Sequence, residues 1–332
     1  MKIIKFVFIF LFFFKSNYLY ASNDNFIVWL KNFKIHALKN GISQKTIDKV
    51  MINAKFLPKV IEYDRYQPEF YEDTKTYIDK RSSNKKVKIG LKIYLENKVT
   101  INQISSAYKI EKELLLALMG IETNFGKYLG KMDIISSLAT LSFDKRRSEF
   151  FTNELITVLK LIDDNVIDHK TLYGSWAGAF GNFQFMPSTI KNYAVDYDKN
   201  QVINLKSLKD SFASAANYLN KIGWNVDQPC FISVSLNNQV PIKYLNTSAK
   251  KIKYKKKFKD IKKYIKNYEN LNIEDNLKSA IITPDKDIVE NSDMLKPAYI
   301  VFENYELILK WNRSLRFALA VCTLKDKFKN EL

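Results

Sequence analysis

Residues 111–130 read EKELLLALMGIETNFGKYLG. Leu114, Leu115, Leu118 and Ile121 recur at helical spacing, so a strong helix is expected from Glu111. It runs into Gly120, Gly126 and Gly130. A second cluster, Gly174, Gly178 and Gly181, lies in GSWAGAFGNFQFMPST, residues 174–189. Six of the nine glycines therefore fall in two short segments. Clustered Gly permits close backbone approach and unusual dihedrals, which sites need. Neither segment is a phosphate loop, because no GKS or GKT follows. Ser175 lacks the G-x-S-x-G frame, and no dinucleotide fingerprint follows a strand.

Glu122 closes the Leu-rich helix, four residues after Leu118. A carboxylate at the edge of an apolar face loses hydration, which favours its protonated form. Glycosidic bond cleavage needs such a general acid. A solvated or capping helix-end Glu is the plainer alternative. Asp133 and Asp144 are candidates for a second carboxylate by position only.

Outward from this centre the chain is mostly helical. Phe26, Trp29, Leu30 and Phe33 mark a helix over 25–39, stopped at Asn40-Gly41. Ser43 is a plausible N-cap for a helix carrying Ile47, Val50 and Met51. Residues 58–70 (PKVIEYDRYQPEF) read as an extended connection. Helical patterning returns over 71–109, broken near Ser82-Ser83 and Val99-Thr100. Two further helices are expected over 148–163 and 207–222, capped by Ser148 and Ser207. The texture changes after Trp224, with a short β-like run from Cys230 to Leu236. Residues 299–303 and 305–311 look like a hairpin around Asn304, followed by a last helix from Ser314 to Lys327. The fold class is mainly α (α+β), with a small mixed α/β region at the C-terminal end.

The 332 residues are 46% hydrophobic and 27% charged, which suits a chain that buries a real core. Two Cys and two His are too few for a zinc cluster or a disulfide scaffold. A His-based triad would have to use His36 or His169. The net charge of +18 favours an anionic partner. Lys250–Lys266 holds ten Lys against one Asp, with Tyr254, Phe258, Ile261 and Ile265 at helical spacing. An amphipathic basic helix is expected there.

Lys2 and Lys5 precede the apolar run Phe6–Phe14 (FVFIFLFFF), and small residues follow at Ala21-Ser22. This reads as a secretory signal peptide over 1–21. The apolar run is far short of the ~20 residues a spanning helix needs. An uncleaved membrane tether is the alternative. No Cys lies near the cleavage site, so no lipid anchor is expected. Removal lowers the net charge to +15. Cys230 and Cys322 would then meet oxidising conditions. They could pair, but two Cys so far apart read more readily as small core residues.

The segments GIETNFGKYLG, SLATLSFDKRRSEFF, GSWAGAFGNFQFMPST, NYAVDYD and ANYLNKIGW, in that order, resemble the lytic murein transglycosylase B family. The upstream DRYQPEF and the C-terminal ILKWNRS and FALAV resemble its flanking motifs. The likeness runs from about Phe26 to Phe328 and is weakest over 228–295. It implies a goose-type lysozyme-like core over 111–228. An N-terminal helical region (22–110) would pack on that core, and a C-terminal α/β region (229–332) would complete a groove. It implies an enzyme of peptidoglycan turnover, exported to the periplasm and acting as a monomer, with glycan strands and not nucleic acid as its partner. A peripheral contact with an anionic envelope surface is the further role expected of the Lys-rich run, beside a plain solvated face.

The resemblance also implies a mechanism. Glu122 would protonate the oxygen between N-acetylmuramic acid and N-acetylglucosamine. The acetamido group would stabilise the sugar cation, so no second carboxylate is needed, unlike the two-carboxylate glycosidases. Glu122 would then accept the C6 hydroxyl proton, and internal attack would leave a 1,6-anhydro end. A hydrolytic muramidase and a non-catalytic wall-binding scaffold are the rivals. Ser175 and Gln184 match polar groove residues, or stabilise turns. Arg146 and Arg147 match a pair that contacts the muropeptide. Tyr77, Tyr218 and Asn312 match groove-lining positions, although either Tyr could equally be core. Trp311 and Phe317 stand where the family leads one to expect Tyr, so a hydroxyl is lost. No cofactor is required. Some members carry a calcium loop, and Asp196, Asp198, Asn200, the Val202 carbonyl and Asp210 are the matching ligands. Gln201 stands where the turn expects Gly.

Overall fold

The computed structural model describes residues 23–67, 71–286 and 288–332. The expected signal peptide lies outside them. In chain order the helices begin with α1 (23–39), α2 (Gln44–Val50), α3 (Pro58–Arg65), α4 (Thr74–Arg81), α5 (Asn84–Glu96), α6 (Lys98–Tyr108) and α7 (Lys112–Thr123). Then follow β1 (Met132–Asp133), α8 (Ile134–Phe143), α9 (Ser148–Asp163), β2 (Tyr173–Gly174), α10 (Pro187–Tyr193) and α11 (Leu208–Lys221). The last part holds β3 (Phe231–Val234), β4 (Leu245–Asn246), β5 (Lys256–Lys257), α12 (Phe258–Ile261), β6 (Lys278–Ile282), β7 (Ala298–Val301), α13 (Glu303–Trp311) and α14 (Leu315–Lys329). The architecture is mainly α with a small sheet near the C-terminal end, as the sequence leads one to expect.

Two compact units divide the chain. Of the described residues, the first comprises 23–65, 129–192 and 199–204. Its α8 and α9 pack together, and Phe26, Phe56 and Phe143 meet with ring centroids 5.5–5.6 Å apart. Short local bonds set its helix starts: Ser43 Oγ accepts from the Thr46 amide, and an Asp133 carboxylate oxygen accepts from the Ser136 amide. Strands β1 and β2 pair beside the second glycine cluster. A Cβ at Gly130 would overlap the Gly174 carbonyl, and Gly130 has φ +85°. Only Gly allows both.

The second unit comprises, of the described residues, 66–67, 71–128, 193–198, 205–286 and 288–332. Leu114 to Met119 of α7 are all buried, and α14 packs on α7 and α4. The sheet order is β3-β7-β6-β4, with β5 paired to β6. β7 runs antiparallel to β3 and β6, whereas β4 and β6 are parallel. Phe258, Ile261, Ile265, Ile281, Ile300 and Phe302 form a core under it.

Several expectations need correction. Residues 58–65 are the helix α3, not an extended connection; Pro58 opens it with a preset φ, and Val60 and Asp64 are buried. Residues 68–70 lie outside the described ones. The break expected at Val99-Thr100 falls at Asn97, whose side chain donates to the Ile93 carbonyl. Ser148 is inside α9 rather than its cap, and its hydroxyl donates to the Ser142 carbonyl. The hairpin over 299–311 is instead strand β7 followed by helix α13. Asn304 is fully buried there, and its amide donates to the Asn225 and Gln228 carbonyls.

The Lys-rich run is not one amphipathic helix. It is extended up to β5 and then forms the single turn α12 and a 3₁₀ turn over Lys262–Tyr264. Phe258, Ile261 and Ile265 are buried as their spacing indicates, but Tyr254 is exposed. Consecutive like charges repel in a continuous helix, and pairing with β6 offers the backbone another partner. Cys230 and Cys322 are joined in a disulfide rather than sitting as separate core thiols.

Candidate active site

The α7 helix ends where its backbone turns left-handed at Asn124 and Phe125, with φ +50° and +61°. The Asn124 and Phe125 amides both return to the Met119 carbonyl. The ammonium of Lys86 donates to the next carbonyl, that of Gly120, at 2.5 Å. Burial, with Arg81 nearby, lowers the Lys86 pKa to about 8. Glu122 sits in this last turn, half-buried. Its Oε1 accepts the indole N–H of Trp311 at 3.0 Å.

Trp311 is the final residue of α13 and belongs to an aromatic stack. Its ring lies 5.0 Å from that of Tyr218, which lies 4.5 Å from that of Tyr193. The Tyr218 hydroxyl donates to the Lys310 carbonyl at 3.2 Å. Burial, and then Tyr193, push its pKa up to about 12. The stack fixes the indole that meets Glu122. The sequence marked Trp311 as the loss of a hydroxyl; the indole N–H supplies a donor in its place. Phe317 is buried within α14. Tyr77 is 3% exposed, with the Arg81 guanidinium 3.7 Å over its ring. Asn312, half-buried, follows α13, and its carbonyl accepts from the Ser314 amide.

The first unit carries the other candidates. Ser175 Oγ accepts from the Ala179 amide at 3.1 Å and closes a tight turn. Gln184 has φ +48°, and its amide donates to the Leu129 and Gly181 carbonyls. Arg146 and Arg147 converge on Asp64, at 2.6 and 3.4 Å. Asp64 is 3% exposed. It stands in the DRYQPEF motif, yet no local pattern marks it as the anchor of both arginines, because the partners are 82 and 83 residues apart. Asp133 caps α8, and Asp144 pairs with Arg65 at 3.0 Å, so each has a structural task.

Asp196, Asp198 and Asp210 of the second unit present carboxylate oxygens within 4.8 Å of one another. Asp210 is fully buried, and its Oδ1 also accepts from the Tyr197 amide. Such hard oxygen donors suit calcium. Gln201 adopts φ +72°, so the turn expected to need Gly forms without it. Asn200 Oδ1 accepts from the Val202 amide, shaping the same loop.

The transglycosylase SLT domain model matches residues 25–326. The chain is 33% identical to the membrane-bound lytic murein transglycosylase B of Escherichia coli K12 over 214 residues. That stretch is 61% of this chain, and the match spans 58% of the relative's length. SltB3 of Pseudomonas aeruginosa, crystallised with NAG-anhNAM-pentapeptide, superposes with a TM-score of 0.80 at 29% identity, over 92% of this chain and 79% of that one. Escherichia coli Slt35 in complex with calcium gives 0.75 at 25% identity, over 94% and 95% of the two chains. Spanning nearly the whole described chain, the match establishes that this protein belongs to the transglycosylase SLT domain family.

Proposed function

We propose that the chain is a lytic transglycosylase that cleaves the bond between N-acetylmuramic acid and N-acetylglucosamine in peptidoglycan. The observation that carries this reading is Glu122, half-buried at the end of α7 and oriented by the Trp311 indole. Glu122 gives its proton to the glycosidic oxygen as the C1–O bond breaks. The 2-acetamido group shares the positive charge left on C1. The Glu122 carboxylate then takes the proton of the muramoyl C6 hydroxyl, and that oxygen bonds to C1. No water is consumed, and the acid is restored. The relative crystallised with NAG-anhNAM-pentapeptide supports this product.

In this reading Ser175, Gln184, Tyr218 and Asn312 line the glycan path. Arg146, Arg147 and Tyr77 support it, given that their side chains are already engaged with Asp64 and Arg81. Residues 111–228 serve as the catalytic core, the chain acts as a monomer in the periplasm, and the N-terminal segment directs export. Asp196, Asp198 and Asp210, with Asn200 and Val202, hold a structural calcium ion, as the calcium-bound relative supports. Calcium at a hundred times its Kd would stabilise the fold by about 2.7 kcal/mol, read as a rise in Tm reversed by chelation.

The direct test is mass spectrometry of products released from purified peptidoglycan, beside Glu122→Gln. Anhydro-muropeptides from the parent protein alone are expected. Reducing-end products would replace the transglycosylase with a hydrolase. Tight binding to sacculi with no product from either protein would leave a scaffold.

A further inference from the structure

Lys86 is a partly buried cation that the proposed reaction does not use. It lies on α5 between Lys85 and Lys88, which are exposed. A long ammonium side chain ordinarily keeps its head in water. This one donates instead to the Gly120 carbonyl in the last turn of α7, at 2.5 Å. Among the described residues no carboxylate pairs with it. Burial and then the Arg81 guanidinium disfavour its charge, so the place costs free energy that the carbonyl bond offsets.

That carbonyl is the one the end of α7 passes over. In a continuing α-helix it would take the Asn124 amide. The Asn124 and Phe125 amides both return to Met119 instead. Lys86 takes the place of the diverted amide, and a cation suits the negative end of a helix. α5 holds the same turn a second time. Gly90 stands one turn after Lys86 on the same face. A Cβ at Gly90 would lie 3.0 Å from the Phe125 ring, and one at Gly120 2.7 Å from it. The ring therefore lies close against both helices. The peptide that carries the Gly120 carbonyl leads directly to Ile121 and Glu122. Its tilt sets where the Glu122 carboxyl meets the Trp311 indole, whose N–H it accepts at 3.0 Å.

The geometry points to Lys86 as a positioning residue, whose bond to the last turn of α7 keeps the Glu122 carboxyl where it can give and retake a proton. This rests on Glu122 being the acid of the proposed cleavage. Lys86 acts through the backbone and touches no substrate. A misplacement of about 1 Å can cost roughly a hundredfold in rate, so a turn that lacks its regular amide needs such a tie.

The test compares Lys86→Met, Lys86→Arg and Lys327→Met in the mature chain. Lys327 makes the same kind of bond elsewhere, its ammonium donating to the Ser82 carbonyl at the end of α4. Turnover of purified peptidoglycan is measured well below each variant's Tm. Lys86→Met should lower kcat roughly tenfold to a hundredfold with KM nearly unchanged. Lys86→Arg should recover most of the loss, and Lys327→Met should lower Tm alone. A second readout needs no activity. The four tryptophans give four indole N–H resonances, and Trp311→Phe identifies one of them. That resonance should shift in Lys86→Met, as it does in Glu122→Gln, and stay in place in Lys86→Arg and Lys327→Met. An unmoved Trp311 resonance in Lys86→Met, or a parental kcat there, overturns the proposal. An equal fall of kcat in Lys327→Met overturns it too, and makes the effect one of stability. If the parent releases no anhydro product while the resonance shifts as expected, the cleavage reading fails and the positioning of Glu122 by Lys86 stands.

Discussion

The two ends of α7 carry the same pair of side chains in opposite settings. At the start, Glu111 accepts the Trp224 indole N–H at 2.5 Å, with the Lys325 ammonium 3.6 Å from its other oxygen. At the finish, Glu122 accepts the Trp311 indole N–H at 3.0 Å. An anion gains from the positive N-terminal end of a helix and loses at the negative C-terminal end. The first carboxylate is therefore placed to hold the start of the helix. The second sits at the end of the helix that does not favour an anion, with the Trp311 indole as a donor. The two differ in position on one helix and in the Lys325 ammonium that lies beside the first.

The largest effect expected is at the C-terminal end. Glu122→Gln keeps the shape and removes the proton, so product release should fall about 10²–10⁴-fold. If it does not, the comparison assigns the wrong carboxylate. Trp311→Phe keeps the ring in its stack and deletes the N–H. A hydrogen bond to a charged group corresponds to roughly tenfold or more, and the loss should appear in kcat. Glu111→Gln is the mirror experiment. Denaturant unfolding should show a loss of about 1.5 kcal/mol, while the folded fraction keeps its turnover. A collapse of kcat there would erase the distinction between the two ends.

The smallest effect is in the pH dependence of stability. Lys86 has a folded pKa of about 8, below the ordinary 10.5. The unfolded chain therefore holds more protons between those values, and stability rises with pH there. Tyr218 and Tyr299 have folded pKa values of about 12, above the ordinary 10. Between 10 and 12 the folded chain holds the extra protons, so their contribution is present below 10 and is lost as pH rises toward 12. Urea midpoints from pH 7 to 12 should climb and then fall, and Lys86→Met should flatten the climb.

Legibility followed the period of the apolar residues. Leu114, Leu115 and Leu118 alternate with nothing else that could bury them, so α7 and the place of Glu122 were plain. Phe258, Ile261 and Ile265 also repeat at helical spacing, yet Phe258 and Ile261 are the two ends of one helical turn and Ile265 follows a 3₁₀ turn. Spacing names which side chains go inside, not the path of the backbone between them. Tyr305, Leu307 and Leu309 show the reverse error: alternation hid a helix, because Asn304 is a buried bracket and not a turn. The Trp311–Glu122 bond spans 189 residues. No local pattern encodes such a contact, and only the family's expected Tyr drew attention to Trp311 at all. Asp64 was quoted in a motif but could not be joined to its arginines for the same reason.

The disulfide between Cys230 and Cys322 closes a ring whose ends are 92 residues apart. The ring contains the whole sheet, the Lys-rich run and α13. It also encloses most of residues 228–295. A covalent hoop keeps both ends of a segment registered while its interior changes. Such a hoop holds the start of β3 beside α14 whatever the loops between them do.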